Sequence, residues 1–73
     1  MNEIPFIQRT VISPDIVHFD INFTNKTLPF SYDFKNKTVL HLEDGYLIQK
    51  PLNNEWLKRF KYHQTTWEKL NHE

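Results

Sequence analysis

Seventy-three residues, nine basic side chains against nine acidic ones, no cysteine and a single glycine set the first limits on this protein. A chain of this length buries only about 60% of its unfolded surface, so one small domain spanning residues 1–73 is expected. Zero net charge removes the overall basicity of a non-specific nucleic-acid binder, and the missing thiols exclude disulfides and cysteine metal sites.

Six Phe, three Tyr and two Trp make the chain too aromatic for a disordered segment, and these rings must supply much of the core. No apolar run reaches the length of a membrane span, and Met1-Asn2-Glu3-Ile4-Pro5 has neither the basic nor the apolar region of a signal peptide. A cytoplasmic protein without membrane contact is therefore expected. Alanine is absent while Asn, Lys, Ile and Phe abound, a usage that favours A/T-rich codons and suggests a phage or mobile-element origin. Up to Asp44 the acids lead six to four, and from Gly45 onward the bases lead five to three.

Taken in order, residues 4–12 are β-prone without clean alternation and predict a first strand, closed by the turn signal Ser13-Pro14-Asp15. Residues 16–23 alternate, with Val17, Phe19, Ile21 and Phe23 on one face and His18, Asp20 and Asn22 on the other. Residues 28–34 repeat the pattern. The phrase Asn-Lys-Thr occurs at Asn25 and again at Asn36, each time between apolar runs, and so reads as a hairpin corner. A two-residue loop at Asn25-Lys26 predicts the pairs Phe23 with Leu28, Ile21 with Phe30, Phe19 with Tyr32 and Val17 with Phe34.

For the second corner a two-residue loop would turn Val39 and His41 to the aromatic face, and a three-residue loop would turn Leu40 and Leu42 there. The latter is preferred because it buries leucine and exposes histidine. Residues 39–43 then lead through Asp44-Gly45, a type I′ turn signal, to a strand at 46–50 ended by Pro51. Asn53 or Asn54 can cap a helix over 54–70, with Glu55 in its first turn. Trp56, Phe60, His63, Trp67 and Leu70, with Leu57 beside them, recur at helical spacing as a stripe that must cover the aromatic sheet face. The expected fold is α+β: an antiparallel meander of four to five strands with one C-terminal amphipathic helix packed on one face.

The preferred registers put His18 opposite Asp33 and Asp33 opposite His41 on the solvent face, with Asp20, Ser31 and Glu43 beside them. Two imidazoles around a carboxylate could take a divalent transition metal, although such a row is also the ordinary polar side of an antiparallel sheet, and no resident metal or other cofactor is expected. His63, inside the helix stripe, is expected to be a packed histidine with a backbone or hydroxyl partner. Lys58, Arg59, Lys61 and Tyr62, with Lys69, make a basic aromatic helix face that could contact phosphate and stack on a base. Glu55 and Glu68 interrupt it. No Gly-rich phosphate loop or nucleophile motif occurs, so no enzyme is expected.

A small protein-protein interaction or regulatory module is the leading functional expectation, with a nucleic-acid-binding accessory protein as the alternative. Tyr46 and Ile48, placed on the outer face of the last strand, together with Trp56 are the expected contact residues, and open strand edges favour a homodimer.

Overall fold

The computed structural model describes residues 6–71. Five strands and one helix follow in order: β1 (Phe6–Ser13), β2 (Ile16–Asn22), β3 (Thr27–Asp33), β4 (Thr38–Glu43), β5 (Tyr46–Pro51) and α1 (Asn54–Asn71). The strands form one open antiparallel sheet in the order β1-β2-β3-β4-β5, and α1 packs on one of its faces, so the fold is the α+β meander the pattern predicts. Ile4 and Pro5, where the first strand was expected to begin, lie outside the described residues.

The alternation of β2 explains the core. Val17, Phe19 and Ile21 point to the helix and are buried with Ile7, Tyr32, Val39 and Trp56. Asn53 starts the helix by accepting the Trp56 amide on its side-chain oxygen at 3.1 Å while its carbonyl accepts from Leu57. Such a cap contributes about 1 kcal/mol. From there α1 crosses the sheet. Trp56 lies against His41 and Phe30, Phe60 meets Phe19, Tyr32 and Phe34 edge-on, and Trp67 reaches β1, where the Arg9 guanidinium sits 5.0 Å from its ring. Arg9 also donates to Gln64 at 3.0 Å.

Both predicted registers change. At the first corner Ile21 faces Leu28, Phe19 faces Phe30 and Val17 faces Tyr32, so the loop holds four residues, Phe23 to Lys26, closed by the Phe23 amide donating to the Lys26 carbonyl. The shift is by two, an even number, and every side chain keeps its predicted face.

At the second corner the shift is odd. Tyr32 faces Val39 and Phe30 faces His41, so Val39 and His41 turn to the helix and Leu40 turns away. His41 is 8% exposed and Leu40 41%, the reverse of the preference for burying leucine. The rings explain it: His41 stacks on Phe30 at an interplanar angle of 6°, lies 4.6 Å from Trp56, and donates from Nδ1 to the Leu42 carbonyl. An aromatic slot with a carbonyl at hand suits a flat polar ring better than a branched aliphatic one. The corner itself is held by Asp33, whose carboxylate accepts the Lys35 and Asn36 amides and the Asn36 side chain, and by Lys37 in the left-handed region at φ 57°.

The third corner is as predicted. Asp44 and Gly45 have φ of 54° and 84°, the two positive angles of a type I′ turn, and Glu43 faces Tyr46 across it.

Candidate functional site

Pairing between β3 and β4 stops at Phe30 and His41. The next pair would set Leu42 against Pro29, which has no N–H to continue the ladder. The end of the β4–β5 hairpin, with Glu43, Tyr46 and Leu47, is therefore not paired to β3, although β3 itself runs on to Thr27. Tyr46 is 74% exposed and Leu47 65%. Because successive residues of a strand point to opposite faces, the hairpin presents the aromatic Tyr46 on the helix side and the aliphatic Leu47 on the open side.

The apolar surface continues on the open face. Leu47 faces Leu42, and Leu40 faces Gln49. Ile12, Ile16, Leu40 and Gln49, with Ser31 and Asp33, line one depression of about 440 Å³ reaching from β1 to β5. Ile12 is exposed as well. Exposed apolar groups mixed with amide, hydroxyl and carboxylate groups are the composition of a protein-contact surface.

The contact residues expected from sequence are placed differently. The odd register puts Tyr46 and Ile48 on the helix side of β5 rather than the outer face, since they pair with Glu43 and His41. Ile48 is half-buried. Trp56 is a core residue, closed in by His41, Phe30 and the Arg59 guanidinium 4.6 Å above its ring, and is not free for a partner. Tyr46 remains. Leu40 and Leu47 were missed, and the only signal for them was the two-residue alternative at the second corner, which turns Val39 and His41 inward.

His18, Asp33 and His41 do not converge. His18 stays on the open face opposite Ser31, with Nε2 2.9 Å from Asp20 and Nδ1 3.3 Å from the Ser31 hydroxyl. His41 lies on the helix side, and Asp33 is used by its turn, where the Asn36 amide and side chain hold its carboxyl below the usual range. Glu43, expected beside them, has turned to the helix side with His41. Among the described residues no three His, Asp or Glu groups are placed to hold a metal ion.

A polar cleft of about 350 Å³ opens where the helix begins, lined by His41, Glu43, Lys50, Asn53, Glu55 and Arg59 among others. Its charges are paired: Lys50 lies 3.8 Å from Glu43, and Arg59 lies 3.5 Å from Glu55. Since Nδ1 of His41 donates to the Leu42 carbonyl, Nε2 is the second ring nitrogen, buried without a hydrogen bond and 3.9 Å from Glu43.

His63 meets its expectation of a hydroxyl partner. Its Nδ1 and the Tyr32 hydroxyl are 3.0 Å apart, between Phe19 and Phe30. Burial, with the Arg59 charge adding to it, pushes the imidazole down to about 4, and burial pushes the Tyr32 phenol up.

On the outer side of α1, Lys58, Lys61 and Lys69 are exposed around Tyr62, itself 68% exposed. Arg59 leaves this group for the Trp56 ring and Glu55. No helix of the described residues is long and apolar enough to cross a membrane. The chain matches no protein-family model, no curated protein and no solved structure.

Proposed function

We propose that this protein is a small binding module that acts by docking onto another protein through the β4–β5 hairpin and the open sheet face beside it. The observation that carries the reading is the pair Tyr46 and Leu47, both mostly exposed at a hairpin end that lies beyond the last β3–β4 pair. Two large apolar side chains held on a tight turn lose little conformational freedom on contact, which favours association.

The test is affinity capture from the native cell extract with the full chain and with the double variant Tyr46→Asp, Leu47→Asp. Both positions are exposed, and the new carboxylate at position 46 faces Glu43, so the variant should keep its fold at a loss of about 1 kcal/mol. Proteins retained by the parent should be lost from the variant. Identical retention by both ends the proposal.

A second reading has its own observation. Lys58, Lys61, Tyr62 and Lys69 share the outer side of α1, and among the described residues none of the three lysines is in an ion pair. A single strand could lay phosphates on the lysines and a base on Tyr62. Binding to a labelled oligonucleotide at low salt should then weaken steeply as salt rises, and Tyr62→Ala should weaken it by roughly tenfold, the cost of about one stacked base. Salt-independent binding, or none, removes this reading.

A further inference from the structure

The open edge of β5 has a definite hydrogen-bonding content. In a two-residue hairpin the residues flanking the turn, here Glu43 and Tyr46, exchange both backbone bonds, and such pairs alternate along the ladder. His41 with Ile48 and Val39 with Lys50 are therefore bonded pairs too. The far end confirms the phase, because the Leu52 amide donates to the Lys37 carbonyl at 2.9 Å, two residues beyond the Lys50 pair. Leu47, Gln49 and Pro51 must then aim their backbone groups away from β4. Pro51 has no N–H, and its carbonyl accepts from the Asn53 amide at 2.9 Å. The edge thus presents two complete residues, Leu47 and Gln49.

A window of two residues spaced by two is its own complement. An antiparallel copy centred on Ile48 sets Leu47 against Gln49 of the copy and Gln49 against its Leu47, and uses every free donor and acceptor of the edge. Registers centred on Leu47 or Gln49 leave half of them unused, and a longer partner strand runs into Pro51. The side chains agree. On the helix side Ile48 meets Ile48 of the copy, and Tyr46 stands beside Lys50 of the copy, with Glu43 next in that row. The lysine can lie across the ring toward the acid. We infer that a second copy of this chain pairs antiparallel along β5, centred on Ile48, joining the two sheets into one.

The inference rests on the reading of the β4–β5 hairpin as the contact element and adds the occupant of its edge. Sedimentation of the full chain over a concentration series should show a reversible dimer. Gln49→Pro removes a donor that points away from β4, so it should keep the fold and shift the chain to monomer. The chain has no cysteine, so Ile48→Cys offers a direct register probe. Directly opposed positions lie about 5 Å apart and should crosslink readily on mild oxidation, while Tyr46→Cys, offset by four residues, should not. A strict monomer at all concentrations, an unchanged dimer in Gln49→Pro, or equal crosslinking at both positions overturns the inference. A monomer that still loses its captured proteins on Tyr46→Asp, Leu47→Asp overturns the dimer alone. A dimer of the stated register that captures nothing overturns only the docking function.

Discussion

Phe19→Ala should remove about 3–5 kcal/mol of this protein's stability, the largest loss expected of any single truncation proposed for it. The Phe19 ring is fully buried, with Tyr32, Phe60 and His63 at centroid distances of 6.0, 5.7 and 5.9 Å, and it lies where β2, β3 and α1 meet. Truncating a buried phenylalanine costs about 3–5 kcal/mol, through lost transfer energy and the cavity left behind. A domain of this size has a total of roughly 4–11 kcal/mol, so one substitution removes about a quarter of it or more. The inward turn of β4 gives a matched pair on adjacent residues. Val39→Ala, at a fully buried site, should cost about 1–3 kcal/mol, and Leu40→Ala, on the open face, less than about 1 kcal/mol. Urea unfolding followed by far-UV circular dichroism gives all three values. Equal costs at Val39 and Leu40 would contradict the register of β4.

The second large effect is acid destabilisation through His63. Its folded pKa lies at about 4 against an ordinary value of 6.5, so between those limits the unfolded chain binds a proton that the folded chain refuses. Stability is then complete above pH 6.5 and falls as the pH drops toward 4, below which both states are protonated. At about 1.4 kcal/mol for each tenfold change the shift corresponds to roughly 3 kcal/mol, which the partial access of the ring to solvent lowers to about 2 kcal/mol. A domain of this size should lose about 10 °C of melting temperature over that interval. The cause is local: a charged imidazole would sit among Phe19 and Phe30 near the Arg59 guanidinium, and its Nδ1 would no longer accept from Tyr32.

His63→Gln keeps an acceptor for Tyr32 and has nothing to titrate, so its loss between pH 6.5 and 4 should be smaller by that amount. Asp33, whose carboxyl is also lowered, adds its share only below its ordinary value of 3.8, outside this window. A parent and variant with the same pH profile would show that His63 is not the titrating group.

Element order and element type were both legible in the residues, because each rests on local chemistry. The alternation of Val17, Phe19 and Ile21, the Asp44-Gly45 turn, the Asn53 cap and the Trp56-Phe60-His63-Trp67 stripe each carry their own instruction. The register of the first hairpin differs from the predicted one by two residues, an even shift that a two-residue period cannot distinguish; it leaves every side chain on its face but moves His18 from Asp33 to Ser31. The face of β4 was another matter. Val39 and His41 or Leu40 and Leu42 could each have faced the core, and hydrophobicity alone favours the leucines. Contacts distant in the chain chose otherwise: Trp56 from the helix and Phe30 from β3 form a slot for His41, and Leu40 was left on the open face. That one choice moved Ile48 toward the helix, separated His18 from His41, and exposed the leucines on which the proposed surface depends. A strand face is settled by what packs against it, and only the assembled sheet and helix supply that.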